Sequence, residues 1–358
     1  MRQLISKQDF SQWLSQFQHP QLIEDWAAQP NVLSEPEGNN ITITLPFASN
    51  SIEVQLQEWM KQQLDEKLVS PANVAIKTDI KALESHISKY TKGVKNIIAV
   101  TSAKGGVGKS TTSVNLALAI ARSGAKVGLL DADIYGPSVP MMLDQQDASP
   151  LVKDNKWMQP INAYGLFTHS IGYLVDKEQA AIWRGPMASK ALGQLLDETE
   201  WPDLDYLVID MPPGTGDIQL TLSQRFPVTS AVIVTTPQDL ALADARKGAT
   251  MFEQVNVPVL GVVENMSYHI CGNCGHHEHI FGHGGAEKMA SEYGLSLLAQ
   301  IPLHISMRED IDAGKPTVVA RPNSEHAKYY LDLADNVCSR MYWQGKEKPD
   351  AIPLTMVD

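Results

Sequence analysis

A glycine-rich segment at residues 102–112, SAKGGVGKSTT, carries the residue types that bind nucleotide phosphates. Glycines let backbone N–H groups point inward around phosphate oxygens, and a following helix adds the positive partial charge of its N-terminus. In this pattern Lys109 is expected to reach the β- and γ-phosphates, and the Ser110 hydroxyl to bind Mg²⁺. The segment therefore predicts a P-loop for ATP and Mg²⁺, and the remaining predicted nucleotide contacts are Gly105, Gly106, Val107, Gly108 and Thr111.

This loop departs from the usual P-loop pattern at two neighbouring positions. Ala103 replaces the first glycine of the pattern, and a second lysine, Lys104, follows it. Lys104 comes too early in the loop to duplicate Lys109. We expect it to reach phosphates across a dimer interface, as an arginine finger does in trans. The alternative is a solvated loop lysine.

Three aspartates follow short apolar runs in a way that suggests magnesium binding and catalysis. Asp131 and Asp133 end the run LLDAD, and Asp210 ends the run VID. Ligands of α/β sheets bind at the carboxyl ends of strands, so Asp210 is predicted to be the Walker B acid. Asp131 and Asp133 share one face of an extended strand; Asp133 is predicted to orient the attacking water, and Asp131 to support the Mg²⁺ site directly or indirectly. The alternative for Asp133 and Asp210 is a helix cap or a loop carboxylate.

An asparagine and a pair of cysteines follow the apolar run 259–263. The amide of Asn265 offers a donor and an acceptor that match the edge of adenine, although a turn or capping role is the alternative. Cys271 and Cys274 lie on a glycine-bent knuckle whose spacing lets both sulfurs face one metal centre. Cys338 lies in a helical pattern and is predicted to be a small core residue.

Two thiols are half of the four ligands that a [4Fe–4S] cluster or a tetrahedral zinc ion normally takes. A two-fold dimer would supply Cys271 and Cys274 twice and complete a shared cluster. An intrachain zinc site would instead need two of the neighbouring histidines, and a redox-active or structural pair would need no metal. These histidines are His276, His277, His279 and His283.

The apolar runs that precede these residues are short, β-branched and uncharged, which is typical of strands buried on both faces. They span residues 97–100, 127–130, 207–209, 231–234 and 259–263, with helical patterns at 112–122 and 240–255 between them. The sequence therefore predicts an α/β fold for residues 91–345, a P-loop NTPase domain with a doubly wound, mostly parallel sheet.

Residues 1–90 read differently and predict a small N-terminal α+β domain. Helical spacing near Trp13, alternation at 41–45 and a helix-like run at 52–64 support this. The polar stretch 84–95 suits a linker, and residues 346–358 are expected to form a flexible tail.

Composition narrows the functional class. The chain has 358 residues, 43% hydrophobic and 20% charged, and a net charge of -12. This charge argues against nonspecific binding of nucleic acid or of anionic membranes. Without a recognisable signal or membrane-spanning run, and with three cysteines, the chain is predicted to be cytoplasmic and to lack a disulfide framework.

Together these motifs resemble the Mrp/ApbC iron–sulfur cluster carriers, deviant-Walker ATPases related to ParA, MinD and the nitrogenase iron protein. The matching runs are SAKGGVGKST, LLDADIYGPS, WRGPM (which includes Arg184), VIDMPPGTGD, TTPQ, ENMSYHICGNCG and QIPL. The resemblance implies a homodimer with a [4Fe–4S] cluster bridged by Cys271 and Cys274, Lys104 as the signature lysine, and Asn265 at the adenine. It also implies that ATP binding or hydrolysis is coupled to transfer of the cluster from an assembly scaffold to apoproteins. Residues 1–90 would then be a diverged accessory domain of the family.

Two other functions remain open at this stage. A ParA/MinD-type positioning ATPase would need a basic amphipathic C-terminal helix or a basic dimer patch, and the tail KEKPDAIPLTMVD offers neither. The other is an NTPase stabilised by zinc at the cysteine pair.

Overall fold

The computed structural model describes residues 6–37, 40–65, 73–87, 91–174, 185–214 and 216–349. Its helices are α1 Lys7–Leu14, α2 Ile52–Asp65, α3 Lys109–Arg122, α4 Val139–Met142, α5 Gly185–Asp197, α6 Asp217–Arg225, α7 Asp239–Gln254, α8 Gly285–Glu292, α9 Ile305–Asp312, α10 Thr317–Ala320 and α11 Glu325–Gln344. Its strands are β1 Asn40–Leu45, β2 Asn73–Thr78, β3 Val94–Thr101, β4 Val127–Asp131, β5 Val152–Lys153, β6 Trp157–Met158, β7 Ile161–Ala163, β8 Leu166–Ser170, β9 Leu204–Asp210, β10 Ser230–Thr235, β11 Val259–Ile270, β12 His277–Glu278 and β13 Ser296–Leu303. Arg184, from the WRGPM run, lies outside the described residues.

The central sheet runs in the order β12-β11-β10-β3-β9-β4-β8-β7, and β13 pairs with β11. The pairs among β13, β11, β10, β3, β9, β4 and β8 are parallel, whereas β7 and β12 are antiparallel additions. Alternate residues of β3 enter different hydrophobic cores, Ile98 with α3 and α11, and Ile97 with α5, α6 and α7. Helices therefore cover both faces of the sheet, which confirms the predicted doubly wound α/β fold.

The five predicted strand runs all lie within strands, namely β3, β4, β9, β10 and β11. Two parallel strands of the central sheet were not predicted from the sequence. The β8 sequence LFTHS contains polar residues, and β13 contains Pro302, which lowers strand propensity. None of the described helices is both long enough and apolar enough to cross a bilayer.

The N-terminal module, residues 6–87, combines α1 and α2 with the parallel pair β1 and β2. It packs on α11 through a hydrophobic core that it shares with α3. The buried Asp335 of α11 accepts hydrogen bonds from the Asn50 N–H at 2.7 Å and from the Ser51 hydroxyl at 2.6 Å. Phe47 packs against Trp343, with ring centroids 5.7 Å apart. Polar and apolar contacts thus join the module to the α/β domain.

The end of the N-terminal module is hydrogen-bonded to the start of the predicted C-terminal tail. The Glu84 N–H donates to the Lys346 carbonyl, and the Lys348 N–H donates to the Ala82 carbonyl, each at 2.8 Å. The segment expected to be a free tail from residue 346 therefore begins with residues held against the N-terminal module. Residues 350–358 and 88–90, which the tail and linker predictions include, lie outside the described part of the chain.

Candidate functional site

The glycine-rich loop connects the end of β3 to the start of α3, as the P-loop prediction requires. Gly106 and Gly108 have φ of 83° and 82°, in the left-handed region that favours glycine. Gly108 has a second reason to lack a side chain, because a Cβ there would lie 2.0 Å from Nδ2 of Asn265. Lys109 is the first residue of α3, so the loop N–H groups and the positive end of the helix dipole lie in one place.

Lys109, Ser110 and Asp210 form a buried polar cluster at the root of this loop. Nζ of Lys109 lies 2.6 Å from Oδ1 of Asp210, and their side chains are 6% and 0% exposed. Ser110 donates to Oδ2 of Asp210 at 2.5 Å, and Ser113 donates to Oδ1 at 2.8 Å. Burying two charges costs desolvation free energy, and here their pairing and their hydrogen bonds offset that cost. Sequence analysis missed Ser113, which the helical i, i+4 relation to Lys109 places on the same face of α3.

This cluster fits the chemistry of a nucleotide with Mg²⁺. The Ser110 hydroxyl and the Asp210 carboxylate present adjacent oxygens, which Mg²⁺ prefers, and it usually combines one or two protein carboxylates with water and substrate phosphates. The Lys109 ammonium and the loop N–H groups supply positive charge for phosphate oxygens. Bound Mg²⁺ would neutralise phosphate charge.

Asp131 orders the loop that carries Asp133. Its carboxylate accepts hydrogen bonds from the N–H groups of Asp133, Ser138 and Val139 and from the Ser170 hydroxyl, at 3.0–3.2 Å. Burial and, secondarily, the nearby Asp210 raise the pKa of Asp131 to about 7. Burial also raises the pKa of Asp133. Sequence analysis missed Ser170 because it ends β8, which was not predicted.

Asn265 lies against the P-loop. Its side chain is 7% exposed, and Nδ2 donates to the Val107 carbonyl at 2.9 Å. This contact joins β11 to the residue before Gly108. The predicted adenine contact of Asn265 remains a prediction. Lys104 is exposed in the same loop, and its predicted action across a dimer also remains one.

Cys271 and Cys274 lie in the turn between β11 and β12 and form a tight knuckle. The Cys271 N–H donates to the His276 carbonyl, and the Gly275 N–H donates to the Cys271 carbonyl, both at 2.9 Å. The backbone N–H of Cys274, followed by that of Asn273, lowers the pKa of Cys271 by stabilising its thiolate. Cys274 is exposed. The turn thus presents a pair of thiols suited to ligating a metal, while Cys338 is buried in α11 as predicted.

The neighbouring histidines make other contacts. Tyr268 stacks on His277 with ring centroids 4.9 Å apart, and His279 meets His283 edge-on at 4.5 Å. Nδ1 of His279 also lies 3.2 Å from the Ser267 carbonyl oxygen. Throughout the described residues, no group of three or more His, Cys, Asp or Glu side chains is placed to hold a metal ion. The intrachain zinc alternative therefore gains no support from this arrangement.

The parallel sheet explains why these residues meet. β3, β4 and β9 deliver their functional residues at their carboxyl ends, which share one edge of the sheet, and Asn265 follows the β11 residue that pairs with the last residue of β10. The P-loop, Asp131, Asp210 and Asn265 come together there, and β11 continues beyond Asn265 to the cysteine turn.

Comparison with known proteins gives concordant matches. The family model "ParA: NUBPL iron-transfer P-loop NTPase" matches residues 93–338. An iron–sulfur cluster carrier protein of Salmonella typhimurium is 55% identical over 359 aligned positions, covering 96% of this chain and 95% of that protein. The iron–sulfur cluster transfer protein NUBPL of Mus musculus is 51% identical, covering 71% of this chain and 80% of its own. A nucleotide-binding protein of Archaeoglobus fulgidus in complex with ADP has a TM-score of 0.58 and 37% identity, covering 66% of this chain and 93% of that one.

Proposed function

The chain belongs to the NUBPL-type family of ParA P-loop NTPases, and we propose that it is an ATP-hydrolysing carrier of iron–sulfur clusters. It binds a [4Fe–4S] cluster as cargo on Cys271 and Cys274 of two protomers and transfers it to apoproteins. The observation that carries this proposal is the position of the cysteine turn, which continues the strand whose Asn265 contacts the P-loop. Nucleotide and cargo sites therefore share one structural element.

The nucleotide site supports hydrolysis through separate roles for its residues. Lys109 and the loop N–H groups bind the phosphates, and Ser110 with Asp210 supports Mg²⁺. Asp133 orients the attacking water, and its raised pKa moves this carboxyl toward the range useful for proton transfer near neutral pH. Asp131 holds the loop of Asp133 in place.

A homodimer is supported by exposed apolar side chains at the same edge of the sheet. Large apolar side chains exposed by 43–59% follow the carboxyl ends of β4, β8 and β13: Tyr135, Met141, Leu174 and Ile305. Exposed apolar surface of this kind marks interaction sites. A two-fold axis at this edge would bring both cysteine pairs together and let Lys104 reach the partner's nucleotide.

We further propose that the protein works in the cytoplasm with a cluster-assembly scaffold and apoprotein clients, and without nucleic acid or membrane partners. The net charge of -12 argues against partners with anionic surfaces, namely nucleic acid and membranes. The positioning ATPase and the zinc-stabilised NTPase are the outcomes that the following experiments discriminate.

Anaerobic reconstitution with iron and sulfide tests the cargo. We expect a visible absorbance band and iron and sulfide contents that correspond to one cluster per two chains. Sedimentation of the reconstituted protein should show a dimer. The double variant Cys271→Ala/Cys274→Ala should lose the band, whereas the matched control Cys338→Ala removes only a buried thiol and should keep it. No band in the wild type, or a band that survives in the double variant, contradicts the proposal. Zinc in place of iron in protein purified without oxygen favours the zinc-stabilised NTPase.

Two substitutions test the ATPase. Lys109→Ala should abolish ATP binding, because it removes the phosphate ligand and leaves Asp210 buried without its cation. Asp133→Ala should bind ATP but turn it over at least about a hundredfold more slowly, as expected for loss of a group that assists proton transfer. Normal turnover by Asp133→Ala would show that this carboxylate does not orient the water.

A further inference from the structure

Glu264 is a buried carboxylate next to the functional site, with no role in the proposed chemistry. Its side chain is 1% exposed and accepts three hydrogen bonds. Ser267 donates to Oε2 at 2.5 Å, Gln300 donates to Oε2 at 3.0 Å, and the Ala286 N–H donates to Oε1 at 3.2 Å. A carboxylate is costly to bury unless its oxygens are hydrogen-bonded, so losing any of these three bonds would be strongly unfavourable.

Two of these bonds join the two ends of the segment that carries the cysteines, and the third reaches Gln300 of β13. Ser267 precedes residues 268–284, and Ala286 follows them as the second residue of α8. The helix N-terminus favours a carboxylate at this position. The Ser267 carbonyl also contacts His279 in the middle of the segment. Glu264 therefore ties the entry and the exit of the cysteine hairpin, residues 268–284, to one point.

The strand itself cannot fix the direction of this hairpin. Between the pairs Asn265↔Ile301 and His269↔Leu303, residues 266–268 of β11 oppose only Pro302 of β13. Proline has no N–H to donate to the ladder, and Met266 has a left-handed φ of 54°. Such a bulge bends a strand and redirects the residues beyond it. Side-chain bonds at the bulge, chiefly Ser267 to Glu264, hold the bend.

Asn265, the residue after Glu264, faces the P-loop. Consecutive residues of a strand point to opposite faces, and Asn265 donates to the Val107 carbonyl while Glu264 holds the hairpin. The contact with Val107 therefore joins the P-loop to β11 immediately before the bulge.

We propose that Glu264 is a positioning residue that fixes the cysteine hairpin, and that it links nucleotide binding at the P-loop to the accessibility of Cys271 and Cys274. The functional meaning of this link rests on the proposed function, in which these thiols hold the cargo. The positions of the thiols themselves can be measured without any cluster.

The test measures thiol modification in the full-length, cluster-free protein. A thiol-specific reagent is applied in excess at one fixed pH, with and without saturating Mg-ADP or a non-hydrolysed ATP analogue. Cys338 is 1% exposed, so the fast phase reports Cys271 and Cys274. The variants are Glu264→Gln and the milder Ser267→Ala. Glu287→Gln is the matched control, because Glu287 is an exposed carboxylate in the first turn of the same helix.

We expect nucleotide to change the wild-type modification rate at least about threefold. In Glu264→Gln an amide N–H faces a group that donated a hydrogen bond to the carboxylate, so one hydrogen bond is lost. The thiol modification rate without nucleotide should therefore rise about tenfold, as expected when a hydrogen bond to a buried charge is lost. Nucleotide should change the modification rate of Glu264→Gln little or not at all, while a titration should show that this variant still binds ADP. Ser267→Ala should show a smaller change in the same direction, and Glu287→Gln should match the wild type.

Unchanged rates and an unchanged nucleotide response in Ser267→Ala and Glu264→Gln would overturn the proposal, as would a wild type whose thiols ignore nucleotide. A faster rate with a wild-type nucleotide response would reduce Glu264 to a structural role, and would also overturn it. Should Glu264→Gln fail to fold by circular dichroism, Ser267→Ala decides alone. If cluster reconstitution fails but the thiol kinetics are as expected, the proposed cargo is rejected and the positioning role of Glu264 stands.

Discussion

Substitution of Gly108 by alanine tests the contact between the P-loop and β11. Gly108 has a left-handed φ of 82°, and an added Cβ would lie 2.0 Å from Nδ2 of Asn265. The methyl group must therefore displace the Asn265 amide from the Val107 carbonyl, to which it donates at 2.9 Å. We expect Gly108→Ala to lower both the free energy of unfolding and the affinity for ADP.

The size of the effect has two parts. The left-handed conformation costs an alanine about 1–2 kcal/mol. Loss of the Asn265 hydrogen bond, with its polar groups still buried, adds about 1–2 kcal/mol. The chain contains a matched control for the first part. Gly124 follows the other end of α3 with a φ of 93°, and no atom lies within 4 Å of its added Cβ. Gly124→Ala therefore carries the backbone strain alone.

Urea unfolding of both variants, followed by circular dichroism, measures the difference directly. Gly108→Ala should be about 1–2 kcal/mol less stable than Gly124→Ala, since only it loses the Asn265 contact. Adding Asn265→Ala to Gly108→Ala removes the clash, so the combined loss should be smaller than the sum of the two single losses. Equal stabilities of the two glycine variants, or strict additivity in the double variant, would refute this account of the loop.

Two further predictions concern buried carboxylates. Burial raises the pKa of Asp131 from 3.8 to about 7, so between these values the folded protein holds a proton that the unfolded chain releases. This contribution to stability is complete below pH 3.8 and is lost as the pH rises through 7, by up to about 1.4 kcal/mol per pH unit. Asp131→Asn should flatten that slope in urea unfolding at pH 5 and pH 7, and an unchanged slope would contradict the assignment. Asp335→Ala removes the acceptor of Asn50 and Ser51 and should destabilise the packing of the N-terminal module by about 2–3 kcal/mol, with faster proteolysis of the module. The control Asp332→Ala alters an exposed ion pair one turn earlier, and equal proteolysis of both variants would show that Asp335 does not hold the module.

Patterns confined to short stretches of chain predicted much of the fold. The uncharged β-branched runs identified five parallel strands, because burial on both faces excludes charge from them. β8 and β13 escaped because Thr168 and His169 interrupt one apolar run and Pro302 interrupts the other. A buried threonine or histidine is tolerated when its polar atoms are bonded inside the fold, and here Thr168 bonds to Tyr173. These two residues are only five positions apart, but their bond is not visible in an apolar pattern, which is what the strand predictions used.

The site shows the same division. The sequence by itself determined the phosphate loop, its acids and the cysteine knuckle, because their chemistry depends on residue types at fixed short spacing. Only the tertiary structure decided which groups meet, since the contacts of Asp210 with Lys109 and of Asn265 with Val107 join residues 101 and 158 positions apart. Glu264 was missed because nothing in its local sequence identifies the start of α8 as its partner. Strand order and the bend of β11 place those groups together, and these depend on packing throughout the domain.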